Sequence, residues 1–335
     1  MRIGILSFAH LHAESYIGNL RAIPDVEMIG LADDNIERGT HFAEQFDARL
    51  FPDYAALLAE KPDGVVICCE NSRHRELVDM ALGAGIKHVL CEKPLATTLD
   101  DAWAIVKAAD AANAKLMTAF PVRFSPPIRE AEAIIRAGKL GQVYGCNATN
   151  QGENPSYHRD WFGDKRLSGG GAVMDHTVHV VDVLRWIFQS EIAEIYAEAD
   201  RDDKPLFPAP GVFIDTAGVI MITFANGTFV GLDCSWSRPN YYPTWGNVKI
   251  EFVGEKGLIV VDVFGQRQTV YSQPNRRPLW DYWGTDIDQS LVNEFAASIR
   301  ENRQPSVTGR DGLKAVEAVI AAYLSAETHE PVKLQ

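Results

Sequence analysis

The feature that most constrains this chain is an alternation of two hydrophobic periods over its first 120 residues. Short β-rich runs stand at 2–7 (RIGILS), 27–33 (EMIGLAD), 64–69 (GVVICC), 87–92 (KHVLCE) and 114–120 (AKLMTAF). Between several of them lie stretches with apolar residues at helical spacing, at 35–46, 74–85 and 99–113. Strands apolar along their whole length are buried on both faces, and strand–helix–strand repeats close by right-handed crossovers. The pattern therefore predicts an α/β fold with a doubly wound parallel sheet. Ligands of such sheets lie beyond the carboxyl ends of the strands, where the strand order reverses.

After residue 120 the texture changes, so the chain is divided into 1–120 and 121–335. Prolines cluster in PVRFSPPI, a helix follows, and GQVYGCNATNQG reads as a strand. The stretch IDTAGVIMITFANGTFVGLDCSW reads as a hairpin with Asn226-Gly227 in the turn, and NVKIEFVGEKGLIVVD as another. The second part is thus expected to be an α+β domain with a large, mainly antiparallel open sheet, closed by helices near 286–301 and 309–327.

Composition narrows the partners. Basic residues number 32 and acidic ones 45, for a net charge of −13 without a basic cluster. Nucleic acid, whose phosphates need stripes of Lys and Arg, is not expected. No apolar stretch approaches the roughly 20 residues that span a bilayer, so no membrane role is expected either. The 5 cysteines form no CxxC pair and the start of the chain does not read as a signal peptide. A cytoplasmic location is the expectation.

The stretch ILSFAHLHAESY, at 5–16, occupies the place of a glycine-rich phosphate turn. In the dinucleotide fingerprint the first glycine makes a tight turn, the second admits the pyrophosphate, and the third lets helix and strand pack closely. Ser7, Ala9 and His12 take those places. A positive φ at Ser7 would cost ~1 kcal/mol, and the His12 ring stands where packing asks for a hydrogen. The attraction for phosphate comes from backbone N–H groups and the helix dipole, and so survives any side chain that fits.

Further along, Asp33 follows the second strand, where it can accept ribose hydroxyls and repel a 2′-phosphate; Asp33 or Asp34 can also cap the next helix, and the two roles are not exclusive. Lys93 ends a parallel strand before Pro94 and either projects into the ligand crevice or pairs with Glu92 at the surface. In GGGAVMDHTVHVVDVLRW, Asp175, His179 and Asp182 share one stripe of an otherwise apolar helix. They either satisfy one another or face a polar cavity. The loop NPSYHRDWF reads either as a sugar-stacking loop or as interdomain packing. His10, His12, His176 and His179 match no strong zinc spacing, so no metal is expected, and no GxSxG elbow is present.

Taken in order, these motifs resemble the Gfo/Idh/MocA oxidoreductases, the glucose–fructose oxidoreductase and inositol dehydrogenase group. CENSRH carries Asn71 and His74, HVLCEKPLATT carries Glu92, Lys93 and Pro94, VRFSP carries Arg123 and Phe124, and the helix after the triple glycine carries Asp175 and His179. The resemblance runs along nearly the whole chain and implies an N-terminal Rossmann domain that binds a dinucleotide. The second domain would bind substrate and, through its open sheet, build a homodimer or homotetramer. The implied reaction is reversible oxidation of a secondary hydroxyl on a sugar, inositol or related polyol, with NAD preferred to NADP because of Asp33.

On this resemblance Lys93, Asp175 and His179 are the catalytic set. His179 would take the hydroxyl proton, Lys93 would polarise the oxygen, and Asp175 would orient His179 or bind a neighbouring hydroxyl. Ser7, Phe8, Ala9, His10, Leu11, Asp33, Asn71, His74, Glu92, Lys93 and Pro94 would contact the cofactor, with the N–H groups of residues 8–11 on the pyrophosphate. Arg123, Tyr157, Trp161 and His176 would contact substrate. The Lys-Pro bond is often cis in this group. Three departures stand out. The glycines are replaced, Glu70 adds a charge expected on the nicotinamide side, and His176-Thr177 replaces a small pair. Two other activities fit the scaffold: an NAD-using glycosidase that oxidises its substrate transiently, and a non-catalytic ligand sensor.

Overall fold

A computed structural model describes residues 1–274, 276 and 279–334. The chain divides into two compact units. One comprises Met1–Pro121, Arg166–Gly169 and Ile287–Val316; the other comprises Val122–Lys165, Gly170–Asp286 and the residues from Glu317 on. The closing stretch 287–316, which the sequence groups with the second part, thus packs with the first.

The chain runs β1 (Arg2–Leu6), α1 (His12–Arg21), β2 (Glu27–Ala32), α2 (Ile36–Gln45), β3 (Leu50–Phe51), α3 (Tyr54–Ala59), β4 (Gly64–Ile67), α4 (His74–Gly83), β5 (His88–Cys91), α5 (Leu99–Ala111) and β6 (Lys115–Thr118). The strands are all parallel, in the order β3-β2-β1-β4-β5-β6. Strand order reverses between β1 and β4, which puts the expected ligand crevice beside the β1–α1 turn. Burial explains the apolar runs: Ile3, Ile5, Val65, Val66, Val89 and Leu90 are all fully buried. Helix α1 turns Ala13, Tyr16, Ile17 and Leu20 inward, at the spacing of one helical face. Asn35 caps α2 by accepting from Arg38 N, so neither Asp33 nor Asp34 serves as that cap. Thr98 caps α5 in the same way.

The second run holds α6 (Pro126–Arg136), β7 (Val143–Glu153), α7 (Lys165–Ser168), α8 (Ala172–Phe188), β8 (Ile192–Ala199), β9 (Ala217–Phe224), β10 (Phe229–Arg238), β11 (Gly246–Gly254), β12 (Gly257–Asp262), β13 (Arg267–Val270) and β14 (Leu279–Tyr282), followed by α9 (Ile287–Glu301), α10 (Gly309–Thr328) and β15 (Val332–Lys333). Its main sheet has the order β12-β11-β7-β10-β9-β8-β15. Every neighbouring pair is antiparallel except β7 with β10. Along β9, Gly218, Ile220, Ile222 and Phe224 are buried while Val219 and Met221 are exposed. Helix α8 packs against β7, β9 and β10. Among the described residues no helix is long and apolar enough to cross a membrane.

Candidate active site

The β1–α1 turn keeps the backbone that a first glycine would give. Ser7 holds φ +70°, in the left-handed region, and its Oγ accepts from Ala9 N at 3.2 Å. Phe8 N donates to Asp33 Oδ2 at 2.7 Å and His10 N to the Cys68 carbonyl at 2.8 Å. The N–H groups of residues 8, 9 and 10 therefore already donate within the chain. Leu11 N–H has no acceptor among the described residues, and α1 carries no side-chain cap. The first N–H groups of α1 are engaged as well: His12 N donates to His10 Nδ1 at 3.3 Å, Ala13 N to the His10 carbonyl at 3.2 Å and Glu14 N to the Leu11 carbonyl at 3.3 Å.

The His12 ring leaves the helix–strand contact and turns to the tip of β5. Its Nδ1 lies 3.1 Å from Glu92 Oε1. The same oxygen accepts from Tyr16 Oη at 2.5 Å, while Glu92 Oε2 accepts from Lys93 N at 3.0 Å and lies 3.9 Å from His10 Nε2. Glu92 is fully buried. Burial alone would raise its pKa, but the imidazoles of His10 and His12 outweigh it and hold the carboxyl well below the usual range. The converse holds for His12, where burial is outweighed by Glu92 and the imidazole pKa rises.

Asp33 is buried and its carboxylate is already heavily engaged. Oδ1 accepts from Asn35 N and Arg38 Nη2, both at 2.8 Å, and Oδ2 accepts from Phe8 N at 2.7 Å and Arg38 Nε at 2.9 Å. Arg38 also meets Asp34 at 3.3 Å and Glu70 at 3.7 Å, and Arg73 pairs with Asp34 and, at 3.5 Å, with Glu70. Glu70 thus belongs to the ion pairs at the end of β2. That is the ribose side of such a fold, not the nicotinamide side where the sequence put its charge.

Lys93 is 5% exposed, which removes the alternative of a surface lysine paired with Glu92. The Lys93–Pro94 peptide is cis. His74 Nδ1 lies 2.8 Å from the Pro94 carbonyl, so this nitrogen carries the ring hydrogen, and burial lowers the imidazole's pKa. Asn71 Nδ2 donates to the Ser168 carbonyl at 2.9 Å. These contacts fix the loops beyond β4 and β5, from which Lys93 projects.

In the second unit the polar stripe of α8 divides among different partners. Asp182 is fully buried and takes the Arg123 guanidinium on both oxygens, through Nε at 2.9 Å and through Nη2. Arg123, expected among the substrate contacts, is therefore engaged inside the fold. Asp175 Oδ2 accepts from Trp236 Nε1 at 3.2 Å and lies 3.3 Å from His176 Nε2. His176 Nδ1 lies 2.9 Å from the Asn150 carbonyl, and Asn150 Nδ2 donates to the His176 carbonyl at 3.0 Å. His179, one turn beyond Asp175, is 8% exposed. Trp161 is buried against Phe162 with ring centroids 3.8 Å apart, whereas Tyr157 is 48% exposed.

Two of the three glycines have a geometric cause. A Cβ on Gly171 would lie 1.7 Å from the Asp215 carbonyl oxygen, and one on Gly170 would lie 2.1 Å from Tyr323 Oη. Asp215 then closes the start of α8, accepting from Gly171 N and Val173 N at 2.8 Å each.

Comparison with known proteins matches these features to one family. The profile described as an oxidoreductase family with an NAD-binding Rossmann fold covers residues 1–120, and the GFO/IDH/MocA C-terminal domain covers 128–260. Across its full length the chain is 32% identical to 1,5-anhydro-D-fructose reductase of Ensifer adhaerens, spanning 98% of that protein. The chain belongs to the GFO/IDH/MocA oxidoreductase family. Another relative, myo-inositol 2-dehydrogenase of Thermotoga maritima, is 28% identical over 100% of this chain and 99% of its own. The fold matches the crystal structure of GenD2 from gentamicin A biosynthesis in complex with NAD, with a TM-score of 0.89 at 24% identity over 100% of this chain and 96% of that one.

Sequence reasoning missed Tyr16, Asp215 and Trp236, and read His12 only as a departure from the glycine pattern and a weak metal ligand. His12 and Tyr16 lie four positions apart on α1, a spacing that already puts both on one face toward Glu92. Asp215 and Trp236 gave no signal, because only the tertiary fold brings them to the start of α8.

Proposed function

We propose that this protein is an NAD-dependent dehydrogenase that reversibly oxidises a secondary hydroxyl of a sugar, inositol or related polyol. The observation that carries this reading is Lys93, buried at the carboxyl end of β5 in a loop held by His74 and Glu92. An ammonium fixed there is suited to polarising a substrate oxygen. Bound NAD supplies the acceptor for the hydride that leaves carbon. Leu11 N–H and the start of α1 would hold its pyrophosphate, with Glu92, Lys93 and Pro94 under the nicotinamide half. Ser7, Phe8, Ala9, His10, Asp33, Asn71 and His74 would shape that surface.

His179 takes the hydroxyl proton as the carbonyl forms and returns it in the reverse direction; a neutral imidazole suits that exchange near neutral pH. Asp175, anchored by Trp236, orients His179 or holds a neighbouring hydroxyl. His176, Tyr157 and Trp161 contribute to the sugar-facing wall. Arg123 serves the site by bracing α8 through Asp182. The exposed row on the open sheet, including Val219, Met221, Phe229 and Val260, supports a homodimer or homotetramer. The five free cysteines, all buried and unpaired in disulfides, support a cytoplasmic enzyme.

The test is NADH formation against sugars, inositols and glycosides, with Lys93→Ala and His179→Ala beside the wild type. A group that transfers protons or polarises the reacting oxygen contributes about 10²–10⁴-fold, and each variant is expected to lose that much kcat/KM. Wild-type turnover by Lys93→Ala would end this mechanism. Glycoside cleavage with no net NADH would instead show the transient-oxidation glycosidase, and ligand binding without turnover of any substrate would show a sensor.

A further inference from the structure

We infer that His12, the first residue of α1, is a ligand of the cofactor's pyrophosphate: its ring is anchored through Nδ1 on Glu92, which leaves Nε2 to donate. This rests on the NAD-binding reading and adds a residue that stands where the fingerprint has its third glycine.

Three observations converge on it. His12 is the first residue of α1, next to Leu11, whose N–H alone among those of residues 8–11 has no acceptor among the described residues. A turn with so few free N–H groups lacks the donors that normally hold a pyrophosphate, and a charge-assisted ring donor replaces them. Second, the ring is held from one side. Its Nδ1 is on the buried Glu92, and the His10 ring packs edge-on at 4.5 Å between centroids. The imidazole is 24% exposed, and Nε2 has no partner among the described residues. Third, burial disfavours the charged ring, but the groups facing it outweigh burial. Glu92, just beyond β5, and Asp288 from α9 attract the proton, Lys93 opposes them, and His10 and Tyr16 share the Glu92 carboxylate. A cation at a helix N-terminus opposes the helix dipole. Glu92 offsets that opposition, and a bound phosphate would offset it further.

The same cluster admits a competing occupant, since donor atoms of His10, His12 and Glu92 all lie within 4.8 Å of one another. The hydrogen-bond pattern opposes a metal. His12 N donates to His10 Nδ1 at 3.3 Å, which leaves the ring hydrogen of a neutral His10 on Nε2, the atom that faces Glu92. The cluster directs hydrogens, not lone pairs, at the carboxylate.

The experiment is calorimetric titration of the full chain with NAD and with ADP-ribose, from about pH 6 to about pH 9. Wild-type affinity is expected to fall as pH rises through the His12 titration, because only the protonated ring donates from both nitrogens. His12→Phe is expected to bind about tenfold more weakly at the acid end, flat with pH, and to meet the wild type at the alkaline end. His12→Gln, which keeps a neutral donor, checks any variant that fails to fold and should be intermediate and flat. Glu92→Gln should move the wild-type fall to lower pH. Flat wild-type binding, or equal affinity in His12→Phe, overturns the inference while leaving the dehydrogenase reading intact. Stoichiometric zinc binding lost in His12→Phe overturns it in favour of a metal centre. A wild type that binds no NAD at millimolar concentration refutes the reading itself.

Discussion

Removing the Asp182 carboxylate is the perturbation that most directly separates a structural from a substrate-contacting Arg123. The pair is enclosed, with side-chain exposures of 5% for Arg123 and 0% for Asp182, and the guanidinium lies 5.6 Å over the Trp186 ring. Asp182→Ala leaves a desolvated guanidinium facing its former partner's space. Breaking a buried pair by removing one member costs about 3–5 kcal/mol, because the remaining charge is uncompensated. For a unit of this size each kcal/mol lowers Tm by about 2–4 °C, so a fall of about 6–20 °C is expected. The double variant Arg123→Met/Asp182→Leu removes both charges and keeps much of the volume. It should recover most of that loss, since the desolvation penalty disappears together with the attraction.

The assay is differential scanning calorimetry of the singles and the double, with urea melts as a check on m. Singles within about 1 kcal/mol of the wild type would refute the argument, as would a double variant as unstable as the sum of its parents. A kinetic arm completes the test. If Arg123 touched substrate, Arg123→Lys would raise KM at unchanged Tm; a brace predicts that Tm falls first.

Two glycines and one carboxylate give the remaining tests. Gly171→Ala forces a Cβ to 1.7 Å from the Asp215 carbonyl oxygen and should abolish soluble expression, whereas Gly18→Ala, inside α1 with open space around it, should gain about 0.5–1 kcal/mol in a urea melt. Burial pushes Asp215 up to about 6 despite its N–H and Tyr323 donors. The unfolded chain then loses this proton first, so stability falls as pH rises from about 4 to about 6 and stays lower above. Asp215→Asn should remove that component, worth about 3 kcal/mol at neutral pH, and a Tm difference from wild type that does not change with pH would refute it.

How much of this was legible follows from what each signal depends on. Strands β1, β2, β4, β5 and β6 were visible because burial on both faces makes a continuous apolar run, which one window of sequence can hold. Strand β3 is two residues long and α3 six, too short for either period to establish itself. Helix α9 shows a clear amphipathic face, but nothing in that face names the sheet or helix it covers. It packs against α1, from which it is separated by most of the chain. The parallel pairing of β7 with β10 is equally invisible, since the hairpin signals on either side of it are local and this pairing is not.

The site shows the same limit in sharper form. Residue types and spacing brought Lys93, Asp175 and His179 to attention, but not which neighbouring groups already held each candidate. Asp33 stood out as a carboxylate at the end of β2, and only coordinates show Arg38, Asn35 and Phe8 occupying its oxygens. The replaced glycine turn is a related case. Its pattern bundles a positive φ, a close backbone approach and a close helix contact, and a chain can meet these separately. Ser7 supplies the first, with a positive φ, and Ala9 brings the smallest side chain a non-glycine can to the second. The third is met by direction: a ring at position 12 obstructs only if it points at β1, and Glu92 draws it toward β5. Replacing Glu92 should therefore disturb the packing of α1 as well as the charge of His12. A glycine at position 12 should tolerate that replacement far better than histidine does, because it has no ring to redirect.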